Sequence, residues 1–250
     1  MNAPRFHCPL PLAAGSSIEL PPGAARHAAR VLRLAAGDEL VLFNGAGGEY
    51  VSSIKSVERE RVSVNVLEWR GVEREAPLAI SLVQALSASE KMDFAVQKAV
   101  ELGAAKIVPV ASKRSVLRLS GERAARRVEH WRGVVVAACE QCGRNRLPEV
   151  AALEDLDKWL ARPAPAGALR LLFDPLCRRT LGELAPPAPG VSIELLIGAE
   201  GGLAPDEIEL ALRAGFTAVR LGPRVLRTET AGVAALAALQ CLWGDFKAGF

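Results

Sequence analysis

Two patterns of hydrophobic and polar positions divide the chain. From Leu40 to Trp69, short runs with strand composition, ELVLFN, EYVSSIKSV and RVSVNVLEW, are separated by the turn-rich GAGG and the charged ERER. β-Branched and aromatic residues bounded by such breakers predict a small β module, with one short amphipathic helix ahead of it, around Ala24 to Leu34. The module is expected to end near GVEREAP, where charge peaks and Pro77 stops further strand pairing. This gives a first domain of residues 1–75 and a second of residues 76–250.

Beyond Pro77 the pattern alternates between strand and helix. LAISLVQAL reads as a buried strand, and SEKMDFAVQKAVELGA as a helix with Ser89 as its cap and Gly103 as its stop. KIVPVAS is the next strand, and Glu122 to Gln141 a long helix ended by Gly143. ALRLLFDP, VSIELLIG and TAVRLG supply three more strands, with helices from about Pro205 to Ala214 and from Thr228 to Trp243 after the last two. Such alternation predicts an α/β fold with a mostly parallel sheet covered on both faces. In sheets of this kind ligands sit outside the carboxyl ends of the strands.

Composition narrows the class. A chain of 250 residues, half of them hydrophobic, buries a substantial core in one large or two smaller domains. No run approaches the ~18 apolar residues of a membrane span, and MNAPRFHCPLPLAAGSS is broken by Pro rather than built like a signal peptide. A cytoplasmic protein without membrane contact is expected. Five cysteines fit a reducing compartment. Cys139 and Cys142 form a C-x-x-C, but a structural zinc site wants a second pair and Cys177 and Cys241 are isolated, so ordinary helix positions are favoured and no metal is expected.

The net charge of +3 hides an uneven distribution. Residues 113–146 carry nine Lys or Arg against three Glu, and within PPGAARHAARVLRLAAGDEL Arg26, Arg30 and Arg33 precede that stretch's first acid, Asp38. Either stretch could attract a polyanion, and a solvated helix face explains them as well.

Three strand ends carry unusual chemistry: LLFDPL with Asp174, LLIGAEGG over Gly198 to Gly202, and RLGPRVLRTETAG from Leu221. Glycine lets a ligand approach the main chain directly, which suits a flat heterocycle, although each loop alone would serve as a tight turn. Convergence of three on one edge points to a pocket. A dinucleotide site is disfavoured, because G-A-E-G-G follows a late strand and Glu200 would face a pyrophosphate. No P-loop motif is present.

IGAEGG followed by LGPRVLRTETA, with QKAVELGAAKIVPV, AACEQCGR and HAARVLRLAAGDELVLFNGAGGEY upstream, closely resembles the ribosomal RNA small-subunit methyltransferase E family. That family belongs to the SPOUT class of knotted S-adenosylmethionine enzymes. The matches span nearly the whole chain in the expected order, with one departure: Ala199 stands where the family commonly has Pro. Ala leaves φ unrestricted there but keeps every main-chain donor and acceptor.

The resemblance implies a PUA-like β-barrel followed by a catalytic domain with a C-terminal trefoil knot. It also implies a homodimer and methyl transfer from S-adenosylmethionine to N3 of a uridine in 16S ribosomal RNA, near the decoding centre of the small subunit. Gly198, Gly201 and Gly202 would clear space for the cofactor, beside Leu172, Phe173, Ile197 and Glu200. Leu221, Gly222, Val225 and Leu226 would form the facing wall, with Thr230 near by and Thr228 or Thr230 capping the last helix. Arg227 would stabilise negative charge on the uracil, or hold an RNA phosphate; Glu200 would be a base or positioner, or cap the loop. RNA contacts are expected from Arg5, His27, Arg30 and Arg33, and from Lys91, Lys98, Arg114, Arg144 and Arg146. The rivals are a knotted methyltransferase acting on a ribose 2′-oxygen or on transfer RNA, and a noncatalytic RNA-binding assembly factor.

Overall fold

A computed structural model describes residues 3–59 and 61–246 and divides them into two compact units. The first gathers the residues up to Glu75 together with Val136–Leu147; the second holds Ala76–Val135 and the residues from Pro148 onward.

The first unit is built on β1 (Arg5–His7), β2 (Ser17–Glu19), α1 (Pro22–Arg26), β3 (Glu39–Phe43), β4 (Glu49–Glu58) and β5 (Arg61–Arg70). Its sheet has the order β1-β3-β4-β5-β2, with β1 parallel to β3 and every other pairing antiparallel. Alternation in VSVNV buries Val62, Val64 and Val66 against Leu40, Leu42, Ile54 and Phe6. The GAGG turn between β3 and β4 uses positive φ at Gly45, Gly47 and Gly48.

The expected helix at Ala24–Leu34 takes a different form. α1 stops at Arg26 and the chain widens into a π-helical turn over His27–Val31, closed by the Leu32 N–H on the His27 carbonyl, before Arg33 enters the left-handed region at φ 55°.

The second unit contains β6 (Ile80–Ala85), α2 (Ser89–Glu101), β7 (Lys106–Ala111) and α3 (Gly121–Cys142), whose last turns belong to the first unit. Short β8 (Glu149–Val150), β9 (Glu154–Asp155) and α4 (Leu156–Leu160) come next. Then follow β10 (Leu169–Phe173), β11 (Ile193–Ile197), α5 (Pro205–Arg213), β12 (Thr217–Val219) and α6 (Thr228–Leu242). The sheet order is β12-β10-β11-β6-β7-β8, β9 also pairs with β7, and every pairing is parallel. The mixed α/β class with a parallel sheet is therefore as the alternating pattern predicts.

All five residues of β11 are buried, as a strand covered on both faces requires. Its one charged residue, Glu194, is paired in register with Arg170 of β10, Nε to Oε2 at 2.6 Å, and that guanidinium lies 4.4 Å from the centroid of the Phe216 ring. A one-residue slip would break this buried pair, so it fixes the register that aligns the strand ends. α6 packs on β6, β11 and α2. A Cβ at Gly232 of α6 would stand 3.3 Å from Leu82, so this glycine permits the close approach.

Candidate active site

The carboxyl ends of β10, β11 and β12 open into a cavity of about 430 Å³, within the range of small-molecule sites. β10 contributes Leu172 and Phe173, and β11 contributes Ile197. The following loop gives Gly198, Glu200, Gly201 and Gly202, and the segment after β12 gives Leu221, Val225 and Leu226. These expected residues are thus brought together. Gly222, Arg227 and Thr230 are placed beside them in sequence but outside the lining. Asp174, noted in the sequence only as a strand-end residue, and Arg114, expected to meet RNA, also face the cavity, as do Leu176, Arg224 and Ala231, which sequence reading missed. For Arg114 the available signal was its place just after β7, at the same end of the sheet.

Glycine is required at two positions of the loop. A Cβ at Gly198 would lie 2.8 Å from the Gly202 carbonyl carbon, too close for any side chain, because the obstacle is main chain. Gly202 has φ 72° and its N–H bonds the Ala199 carbonyl at 2.8 Å, closing the turn. Gly201 has only ordinary contacts, with the alkyl stem of Arg114 3.5 Å from its Cβ direction.

Four ties hold this loop. The Thr228 hydroxyl donates to the Gly198 carbonyl at 2.6 Å and accepts from Gln84 Nε2 at 2.9 Å. Arg114 Nη1 donates to the Gly201 carbonyl at 2.8 Å. Buried Glu207 accepts from the Ala204 N–H and the Lys113 N–H, at 2.8 and 2.7 Å. Glu200 Oε1 accepts from the Ala88 N–H at 2.9 Å and lies 3.2 Å from Lys91 Nζ.

The first and last of these ties correct two expectations about caps. α2 starts with Ala88, not Ser89, at the cap position; the N–H there is served by Glu200 from the loop after the neighbouring strand β11. α6 starts after Arg227, and neither Thr228 nor Thr230 caps it, because the Thr228 hydroxyl is spent on Gly198. Burial works to raise the Glu200 pKa, but the Ala88 and Glu200 N–H groups and Lys91 outweigh it and hold the carboxyl below its ordinary value. A carboxylate so engaged is a weak proton acceptor.

The wall from Leu221 to Leu226 is the opposite case. Among the described residues no backbone–backbone hydrogen bond reaches residues 221–226. Val225 is 79% exposed, and next to this segment Arg227 is exposed with no side-chain partner among the described residues.

The basic residues expected to meet RNA divide sharply. Arg144 is only 5% exposed and pairs with Glu75, while Arg5 donates to Glu49 at 2.6 Å and to Asn145 Oδ1 at 2.5 Å. Both are interior ties of the first unit rather than surface groups. Lys91 is drawn to Glu200, and Lys98 pairs with Glu101 at 2.7 Å. Arg114 grips the glycine loop. His27, Arg30, Arg33 and Arg146 are exposed, the last 3.4 Å from Glu73.

Cys139 is fully buried, and burial pushes its thiol up to about 12, so the C-x-x-C has an inert first member. Among the described residues no cluster of three His, Cys, Asp or Glu is placed to hold a metal, and no helix is long and apolar enough to cross a membrane.

Comparison with known proteins agrees with this architecture. The RNA methyltransferase domain family model matches residues 74–240, and the RNA methyltransferase PUA domain model matches residues 20–67. The chain is 35% identical over 244 residues to the ribosomal RNA small subunit methyltransferase E of Buchnera aphidicola subsp. Schizaphis graminum, covering 98% of each chain. It is 30% identical over 218 residues to the enzyme of the same name from Bacillus subtilis strain 168, covering 85% of each. Among solved structures, a ribosomal RNA small subunit methyltransferase E from Neisseria gonorrhoeae, bound to S-adenosyl methionine, superposes with a TM-score of 0.91 at 38% identity, over 98% of this chain and 100% of that one. A Legionella pneumophila methyltransferase in complex with bound cofactor SAM gives 0.92 at 37% identity, over the same shares of the two chains. With its two matched domains and near-complete coverage by these relatives, the chain belongs to the ribosomal RNA small subunit methyltransferase E family.

Proposed function

We propose that the protein transfers a methyl group from S-adenosylmethionine to N3 of a uridine in 16S ribosomal RNA, near the decoding centre of the small subunit. The observation that carries this reading is the cavity at the ends of β10, β11 and β12, which has a tightly turned glycine loop as its floor and one wall of main chain that makes no backbone–backbone hydrogen bond among the described residues. The residues fit the cofactor. Leu172, Ile197, Leu221, Val225 and Leu226 offer apolar contact for an adenine ring, and the free N–H and C=O groups of 221–226 can meet its polar edge. Gly198 and Gly202 let the loop at the floor close tightly on itself, where a side chain would be excluded or strained. When bound, the cofactor supplies an electrophilic methyl group on a sulfonium.

Uridine N3 is a weakly acidic imide nitrogen and must give up its proton before its lone pair can form the new N–C bond as the S–C bond breaks. Arg227, exposed and without a side-chain partner among the described residues at the edge of the cavity, is suited to offset the negative charge that deprotonation places on the uracil carbonyl oxygens. Glu200 is assigned to positioning, since its carboxylate is already engaged by Ala88 and Lys91. The departing proton then passes to solvent rather than to Glu200.

RNA is held through exposed basic residues, His27, Arg30, Arg33 and Arg146, by phosphate contacts that position rather than specify. The domains of this reading are an RNA-binding β-barrel over residues 1–75 and a catalytic domain over residues 76–250 whose C-terminal segment forms a trefoil knot. The protein acts in the cytoplasm as a homodimer, a reading supported by two large apolar side chains left exposed on helices that pack together, Phe94 of α2 at 45% and Leu242 of α6 at 38%.

Nucleoside mass spectrometry of 16S RNA from cells lacking the gene tests the reaction. Loss of 3-methyluridine, restored by the wild-type gene, is expected; loss of a ribose-methylated nucleoside, or no loss, overturns it.

A further inference from the structure

Of the tryptophans, Trp131 is fully buried and donates to Asp93, and Trp159 is 8% exposed. Trp69, at the end of β5 in the first unit, is 55% exposed. An exposed indole is costly to leave in water unless something covers it, and here its mounting is unusual.

The ring lies across two glycines. A Cβ at Gly48 would fall 2.6 Å from the indole Nε1, and one at Gly71 would fall 3.0 Å from Cη2 at the far edge of the six-membered ring. One side of the ring therefore rests on bare main chain, where any side chain at Gly48 would displace it. Among the described residues the indole N–H has no hydrogen-bond partner.

A cation is mounted on the neighbouring residue of the same turn. A Cβ at Gly47 would stand 2.5 Å from Arg146 Nη2, so the guanidinium lies against Gly47 as the indole lies against Gly48. Among the described residues its one acidic contact is long, 3.4 Å to Glu73 Oε1, an oxygen that already accepts from the Gly48 N–H at 2.8 Å. An exposed pair of this geometry contributes little, which leaves the guanidinium available to an anion. Arg146 is itself fastened by bridges to Gly45 and Ala46 and by its N–H on Glu75. An aromatic plate and a cation are thus fixed on successive glycines of one turn.

We propose that the GAGG turn, Trp69 and Arg146 form a binding site for one unpaired nucleotide of the RNA substrate, the base stacked on the open face of Trp69 and a flanking phosphate met by Arg146. This deepens the reading of the protein as an RNA methyltransferase, on which it rests. It assigns the first unit a base contact in addition to phosphate contacts. Stacking of this kind tolerates any base, because each presents a π face.

The test measures binding of a short single-stranded oligoribonucleotide and of unmethylated small ribosomal subunits to the intact protein. Tryptophan fluorescence of the wild type should be quenched by the oligonucleotide. Trp69→Ala should abolish the quenching and weaken RNA binding by roughly 5- to 100-fold, whereas Trp69→Phe should restore affinity to within a few fold. Arg146→Gln should lower the slope of log affinity against log salt by about one, and Trp69→Ala should leave it unchanged. Cofactor affinity should stay unaltered in all three variants. Unchanged RNA affinity in Trp69→Ala, or loss of the dimer in that variant, overturns the site, the second outcome marking a protein contact instead. If the wild type binds the cofactor but no RNA, the methyltransferase reading of the substrate fails first, and the two failures are told apart.

Discussion

Arg144 and Arg227 are the same side chain in opposite settings. Arg144 lies in the interior of the first unit, where Glu75 takes its guanidinium, and close to it Arg5 and Arg74 share the buried carboxylate of Glu49 at 2.6 and 3.0 Å. Arg227, in the second unit, precedes a helix at the edge of a cavity and is exposed without a partner among the described residues. Each arginine of the interior set is paired with a carboxylate, so its charge holds the polypeptide together; the rim residue has no such partner among the described residues, so its charge is left for a ligand. Counting charge along the chain treats both alike. What separates them is whether a carboxylate distant in sequence has been folded against each one.

The largest expected effect sharpens the rim side of this contrast. Arg227→Ala should lower the methylation rate by about 10²- to 10³-fold, with S-adenosylmethionine affinity within about threefold; near-normal turnover would remove Arg227 from the reaction. On the interior side, Glu49→Gln leaves Arg5 and Arg74 without their carboxylate and should destabilise the first unit by about 3 kcal/mol in denaturant unfolding, while cofactor binding is unchanged. An unaltered midpoint would show that the cluster contributes nothing to folding.

Acidification probes the same group. Burial works to raise the Glu49 pKa, and its contacts with Arg5, Arg74 and Asn145 outweigh that, so the folded value lies below the unfolded one. The stabilisation is therefore fully present above the unfolded carboxylate value and is lost as pH falls through the folded one. Stability of the wild type should decline below about pH 4, and the decline should be shallower in Glu49→Gln.

A smaller effect is expected from Thr228→Val, which removes the donor to the Gly198 carbonyl and the acceptor for Gln84. A loss of about 1–2 kcal/mol in cofactor binding is expected, read by calorimetry, against none if the glycine loop holds its shape unaided. The smallest change belongs to Arg33→Gln, which should reduce the salt slope of RNA binding by about one and leave the cofactor untouched.

Much of the fold was legible because periodicity carried it. The strands of ELVLFN, KIVPVAS and VSIELLIG and the helix ending at Gly103 each left a local pattern, and Gly103 stops its helix at φ 82°. The site was legible through glycines, since Gly198 and Gly202 stand where a side chain is excluded or strained. Nothing local announced the three-residue strands Arg5–His7 and Ser17–Glu19, which exist only by pairing with partners far along the chain. The attachment of Val136–Leu147 to the first unit is equally non-local, resting on Arg144 and Asn145 meeting Glu75 and Glu49. For the same reason Ser89 looked like a cap while Glu200, more than a hundred residues on, reaches the helix start instead. The π-helical turn at His27–Val31 has a helical composition and could not be told from an α-turn by spacing.

The claim on which the account turns is that the glycine-floored cavity holds the methyl donor, and calorimetric titration of S-adenosylmethionine into the wild-type protein and Gly198→Ala tests it most directly. Saturable binding to the wild type, lost in a variant that still melts cooperatively, is the predicted result, because the added Cβ would meet the Gly202 main chain at 2.8 Å. A wild type that takes up no donor, or a variant that binds it equally well, would contradict the account.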